Sequence, residues 1–439
     1  MLDQFLAKII AIHSPYRLDR LPQWVANKYW NPILEIDRWV FAKIEKADRQ
    51  CLDEIQQKRL AKILWLAKNR TAYWKDKIAG DPHKYPVKIL RAVPLFTKEI
   101  LRSNNLNVFV NQEVAGWRKE LISTSGTTTT PCFFYCDRLS FLRLEAEMKA
   151  IQGFKYNDNL ARINLNFPPY RPLGKIFLFS LVTKLVENAT NIELFLRENK
   201  PTHIFGQTTS ILELASILDN RGVKYPFARV TVVGEHLNRE DKKYLEKIFS
   251  CEVFNIYVSR EAAGPIAYEC QERDGWHINA ISFVVEILDE NNQAVPTEKE
   301  GNVVVTMLEN EVMPFIRYKI GDRGYLVDKP CPCGRQSPRL FFKGRATQFF
   351  KLKNGNTHPL VSIVGLVRDF TPPVIQFQFE QQRIGEIIVR LATLENISEE
   401  CITNILHAAK ERFLDQLDVR IEINEKVPGK NILFINKLE

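Results

Sequence analysis

The chain has 439 residues, too many for one ordinary core, and its 45% hydrophobic and 26% charged residues are the composition of a folded globular protein. A formal charge of +9 is modest over that length, and because Lys and Arg are scattered outside any recognisable nucleic-acid module, no nucleic-acid partner is expected. Eight cysteines, spread from Cys51 to Cys401, lack the density of a small disulfide scaffold and read as reduced thiols or metal ligands.

The N-terminal residues Leu2, Phe5, Leu6, Ile9 and Ile10 recur at helical spacing, which predicts a helix packed on its own protein, a membrane-surface anchor being the alternative. Without an apolar run of about 18 residues or a cleavable leader pattern, a cytoplasmic protein with no membrane contact is expected. Arg59 to Ala67 continues the helical periodicity, and Gly80 and Pro86 punctuate it, so about the first hundred residues read as a helical lead-in. From Trp117 onward, strand-like runs (160–167, 229–233, 252–257) alternate with helical ones (211–220, 239–249), the pattern of an α/β sheet with helices on its faces. Residues 280–288 and 301–307, around the turn Glu290-Asn291-Asn292-Gln293, read as a hairpin region. Short strands (374–379, 386–391, 419–423) around helical stretches 359–370 and 398–414 predict a second, small α/β domain. The boundary is expected near Gly344 to Gln348, giving domains 1–344 and 345–439.

Four motifs carry chemistry. Thr124-Ser125-Gly126-Thr127-Thr128-Thr129-Thr130-Pro131 is a hydroxyl-rich loop ahead of a strand, where hydroxyls and backbone N–H groups can donate to phosphate oxygens and Gly126 allows close approach. It is followed by Gly234-Glu235-His236-Leu237, by Asn255-Ile256-Tyr257-Val258-Ser259-Arg260-Glu261, and by Pro314 to Arg323. Separately, Cys270 and His277 with Cys331-Pro332-Cys333-Gly334 supply four soft or borderline ligands in two pairs, a donor set that suits tetrahedral Zn²⁺. Four protein ligands leave no open position for water, so that metal is expected to be structural, stapling the hairpin region to the loop before the domain boundary.

In this order the motifs resemble the adenylate-forming superfamily of acyl- and aryl-CoA ligases, and most closely its phenylacetate–CoA ligase and CapK-type branch, from about Lys98 to the C-terminus. The resemblance implies a large N-terminal α/β domain with a small mobile C-terminal one, and nucleotide binding by Ser125, Gly126, Thr127, Thr128, Gly234, Glu235, Asn255, Tyr257, Asp322 and Arg345. Within that set Tyr257 would stack beside adenine, and Asp322, read as following Gly321 in a turn, would accept the ribose hydroxyls. Glu261 would help hold Mg²⁺, Thr128 would attend the phosphates, and Lys430 would be the catalytic lysine brought in by domain closure. Phe205 and Gln207 match an acyl-pocket region, although their segment reads equally as a helix N-terminus with Thr and Ser caps.

The implied activity is ATP-dependent formation of an acyl-adenylate with pyrophosphate release, followed by transfer to a thiol, CoA being the expected acceptor. The alternatives are transfer to an amine or a carrier protein, and a non-catalytic nucleotide- or scaffold-binding homologue. Three departures favour the last: Thr129-Thr130 where Gly-Lys is frequent, Val258 where glycine is usual, and Gln348 in place of a hinge aspartate.

Overall fold

The computed structural model describes residues 23–123, 132–155, 158–163, 176–179, 189–234, 237, 239–345, 349–359, 363, 367, 374–393, 397–423 and 434–438. The chain divides into two units, one formed by Met1–Asn157 with Phe254–Phe342 and the other by Asp158–Val253 with Lys343–Glu439.

The described part of the first unit opens with two long helices. Gln23–Ile44 is followed by Arg49–Arg70, whose N-cap Asp48 accepts from the Cys51 N–H and whose Leu52, Ile55, Leu60, Ile63, Leu64 and Ala67 are buried. The segment after it supplies Tyr73 and Trp74 to an aromatic cluster centred on Phe96, which meets Trp74 at 5.5 Å, Phe109 at 5.2 Å, Phe315 at 5.5 Å and Tyr318 at 6.0 Å between ring centroids. Edge-on and tilted rings at these separations add to the burial that drives the core. The backbone reinforces the packing: the Phe96 N–H donates to the Arg317 carbonyl at 3.0 Å and the Lys319 N–H to the Phe96 carbonyl at 2.9 Å.

Around this core run the strands Phe283–Leu288, Gly301–Met307, Tyr318–Val327, Arg339–Arg345, Trp276–Ile278, Gly264–Glu269 and Val253–Ser259, in that spatial order. The hairpin region expected from sequence is present, since 283–288 pairs antiparallel with 301–307. A further hairpin, Lys119–Ser123 with Phe133–Asp137, flanks the hydroxyl-rich loop. Its last residue Asp137 caps the helix Arg138–Ile151 and pairs with Arg118 in a buried bidentate contact.

The second unit contains the parallel ladder Arg229–Val233, His203–Gln207, Leu160–Ile163 and Ile176–Phe179, as the alternating pattern predicts. Its helices Thr208–Asn220 and Arg239–Phe249 bury Ile211, Leu214, Leu218, Leu245 and Phe249 with Ile204, Val230 and Val232 of the strands. The C-terminal residues form a four-stranded sheet in the order Asp418–Ile423, Glu386–Thr393, Val374–Arg383, Phe434–Asn436, with the helix Glu399–Arg412 capped by Ser398. Phe350, Phe379, Val389, Leu391, Ile405 and Phe413 make its core. No helix among the described residues is long and apolar enough to cross a membrane.

Candidate functional site

Of the residues singled out from the sequence, Ser125, Gly126, Thr127, Thr128, Glu235 and Lys430 lie outside the described residues, as do Thr129, Thr130, Gln348 and the apolar positions from Leu2 to Ile10. Arg345 ends a strand, and its side chain lies outside them too. The rest fall into three places.

In the first unit, Glu261 occupies the turn between the strands Val253–Ser259 and Gly264–Glu269, where the Ser259 hydroxyl accepts from the Ala262 N–H at 3.0 Å and the Ala263 N–H donates to the Ser259 carbonyl. It is not the surface residue that a turn glutamate ordinarily is, being only 5% exposed. The Tyr318 hydroxyl donates to Glu261 Oε1 at 2.9 Å, and the Lys98 ammonium lies 3.2 Å from the same oxygen. Among the described residues both contacts converge on Oε1, which leaves Oε2 for a cation. Burial first, and the Glu261 charge second, push the Tyr318 phenol far above its ordinary range, so it stays a hydrogen-bond donor.

Asp322 requires a correction to the sequence reading. It lies within the strand Tyr318–Val327, not in a turn. Opposite the single residue Val303 stand three residues, Ile320, Gly321 and Asp322, because the register shifts between Asn302 and Val304. Gly321 takes φ +91° in this bulge, a conformation open to glycine, and the bulge re-aims the buried Asp322 side chain. The Tyr257 hydroxyl donates to Asp322 Oδ2, and the Tyr257 ring stands 5.8 Å from that of Phe342. Asn255, on the same strand as Tyr257, is buried, its N–H donating to Glu269 at 2.9 Å. Val258 sits at a second register shift, opposite Pro265.

Cys270, His277, Cys331 and Cys333 converge in the same unit. Their ligand atoms all lie within 4.8 Å of one another and all four residues are buried. Cys270 Sγ is 3.8 Å from Cys331 Sγ, and Cys333 Sγ is 3.3 Å from His277 Nε2. His277 Nδ1 is 3.1 Å from the Ser337 carbonyl, a contact that places the proton on Nδ1 and turns Nε2 toward the thiols. Burial lowers the His277 pKa to about 4, which keeps the ring neutral and able to ligate. Two thiols can be adjacent in a strand by accident, but four soft donors from two distant segments meeting in one buried spot fit a tetrahedral metal.

In the second unit, Gly234 follows the strand Arg229–Val233 with φ +78°, which glycine accommodates. Phe205 is 1% exposed on the strand His203–Gln207, with the Arg162 guanidinium 5.7 Å from its ring centre. Gln207 is the N-cap residue of the helix Thr208–Asn220, so the helix N-terminus is real, but its cap is Gln207 without a side-chain bond.

Two residues were not singled out from the sequence. Tyr318 lay inside a quoted motif without a role, and Lys98 only marked where the resemblance starts. The signal for Lys98 was Thr97, whose hydroxyl caps the helix Lys98–Ser103; nothing local pointed to Glu261.

No family model matches the chain. Among curated proteins it is 24% identical over 431 residues to a phenylacetate-coenzyme A ligase of Thermus thermophilus, covering 88% of this chain and 95% of the relative. A protein of the same name from Pseudomonas putida is 23% identical over 254 residues, 55% of this chain and 51% of the relative. Among solved structures, 2-hydroxyisobutyryl-CoA ligase in the postadenylation state, in complex with R3-HIB-AMP, matches with a TM-score of 0.76 at 18% identity, covering 89% of this chain and 91% of that one. The chain has the adenylate-forming fold. The resemblance read from its motifs is thereby borne out, and the expected ligase class agrees with each of these relatives.

Proposed function

We propose that the protein is an AMP-forming acid–thiol ligase. A carboxylate oxygen of the acid attacks the α-phosphorus of ATP, the bond to the bridging oxygen breaks and pyrophosphate leaves; a thiolate, that of CoA, then attacks the acyl carbon and displaces AMP. The observation that carries this reading is the buried Glu261 carboxylate, held at one oxygen by Tyr318 on the same strand that presents Asp322 to Tyr257. A single carboxylate whose second oxygen has no hydrogen-bond or ion-pair partner among the described residues suits Mg²⁺, which prefers to complete its shell with phosphate oxygens and water, and when bound the ion neutralises phosphate charge.

Tyr257 and Asp322, prealigned on each other, would take adenine and ribose. The Ser125 to Thr128 loop, Gly234, Glu235, Asn255 and Arg345 would complete the nucleotide site, and Lys430 would approach the α-phosphate by resemblance. Phe205 and Gln207 remain the proposed acyl-pocket residues, with Phe205 acting as a wall fixed by its burial. The Cys270, His277, Cys331 and Cys333 set would hold structural zinc. The division at residues 344 and 345, with a mobile C-terminal part, belongs to the same reading and is supported by the separate core from Phe350 to Phe413. A CapK-like acceptor other than CoA, an amine or a carrier-protein thiol, is the alternative for the second half-reaction.

The test is pyrophosphate release with ATP and Mg²⁺ across aryl, fatty and hydroxy acids, with hydroxylamine as acyl trap and with or without CoA. Release with one acid class, and a CoA-dependent thioester, is the expected result. Lys430→Ala is expected to lower release by about 100-fold while ATP still binds. ATP binding without release from any acid would favour the non-catalytic homologue, for which Thr130, Val258 and Gln348 are the departures at issue.

A further inference from the structure

Lys98 lies beside Glu261 and has no task in the reading above. Its position is set by the backbone. Phe96 is hydrogen-bonded on both sides to the segment 317–319, the Thr97 hydroxyl caps the next helical turn by accepting from the Ile100 N–H, and Lys98 is therefore delivered beside Tyr318 and Glu261. Its side chain is 36% exposed while its partner carboxylate is buried, so the ammonium lies between solvent and Glu261. Glu261 Oε1 is the one partner of that ammonium among the described residues, and it engages one of three N–H donors. Arg102, one helical turn further on, reaches the Cys132 thiol, so a second cation, a guanidinium, borders the same spot.

Two accounts of this arrangement differ. In the first, Lys98 merely neutralises the buried Glu261 carboxylate. In the second, the remaining donors of the ammonium take an anion brought alongside Glu261. The convergence of both Lys98 and Tyr318 on Oε1 favours the second, because it sets the ammonium to one side of the carboxylate instead of across the open Oε2. An anion that shares a cation with Oε2 would then meet the free N–H groups of Lys98, and a compact ammonium binds phosphate as a point charge without needing a planar fork.

We propose that Lys98 is a phosphate-binding residue of this site, contacting the phosphates beyond the α position of a bound nucleoside triphosphate. The proposal rests on the ligase reading for the identity of the nucleotide, and it assigns the residue to the triphosphate tail and not to the nucleoside.

The decisive measurement is the affinity of the full-length protein for ATP and for AMP, without acid so that no turnover occurs, titrated calorimetrically with Mg²⁺ for the wild type, Lys98→Ala and Lys98→Arg. Loss of one charge-assisted hydrogen bond is expected to weaken ATP by about 10- to 100-fold in Lys98→Ala, with AMP changed by less than about 2-fold, and Lys98→Arg is expected to recover most of the loss. AMP binding doubles as the check that the variant is folded. Equal effects on ATP and AMP, or no effect on either, would overturn the assignment, as would tighter Mg²⁺ binding with an unchanged ratio of ATP to AMP affinity, which is the signature of a mere counter-ion. A wild-type protein that binds ATP through Lys98 yet releases no pyrophosphate with any acid leaves the assignment standing and overturns the ligase reading instead. Failure of the wild type to bind either nucleotide overturns both.

Discussion

Two polar clusters in the same unit solve the problem of buried polarity in opposite ways. The cluster of Cys270, His277, Cys331 and Cys333 is closed: four buried donors face one another and His277 is fixed from behind by Ser337. The cluster of Glu261, Tyr318 and Lys98 is open: one carboxylate is anchored through a single oxygen, and one of its partners reaches solvent. A closed set of soft ligands suits a metal that stabilises the fold, whereas an open hard ligand can exchange partners during a reaction. The proposed structural and catalytic cations thus correspond to a closed and an open set of side chains.

The sharpest way to break the comparison is to empty the closed cluster. Cys331→Ala is expected to reduce the metal content from about one ion per chain to none and to lower Tm by on the order of 10 °C, measured by elemental analysis and scanning calorimetry, because binding energy at such a site is folding energy. Purified, chelator-free wild type without metal would show instead that the thiols are a reduced core cluster. At the open cluster the expected pattern reverses. Glu261→Gln keeps a group that can accept from Tyr318 but lacks the charge, and pyrophosphate release is expected to fall by about 100- to 1,000-fold with Tm changed by about 2 °C or less. A large loss of Tm with activity retained would make Glu261 a core residue. The smallest expected effect comes from Tyr318→Phe, which keeps the ring among Phe96 and Phe315 and deletes one hydrogen bond worth about 1 kcal/mol. It is expected to raise the Mg²⁺ concentration for half-maximal release by about 5-fold, and no shift would mean that Lys98 alone holds Oε1.

Local pattern made much of the second unit legible. The runs 229–233 and 239–249 are an element each, because a buried parallel strand is a short apolar run and an amphipathic helix repeats near 3.6 residues. The strand Tyr318–Val327 was harder to read, since its Gly321-Asp322 pair carries the local signature of a turn and only pairing with Gly301–Met307 converts that signature into a bulge. Phe205 shows the same limit from the other side: its match to an acyl-pocket region carries no sign of its burial, and the sheet leaves it 1% exposed.

Residue types and their order determined by themselves that this chain is an α/β protein with a hydroxyl-rich loop, a set of soft ligands and motifs that resemble those of adenylate-forming enzymes. Those features depend on chemistry and short-range spacing, which the sequence records directly. Only the tertiary structure decided that Glu261 is buried, that Tyr318 and Lys98 share its Oε1, and that the four soft ligands meet within 4.8 Å. Lys98 and Glu261 are far apart in sequence, and their meeting is fixed by the Phe96 core and the backbone bonds from Phe96 to residues 317 and 319, long-range packing that no local window contains.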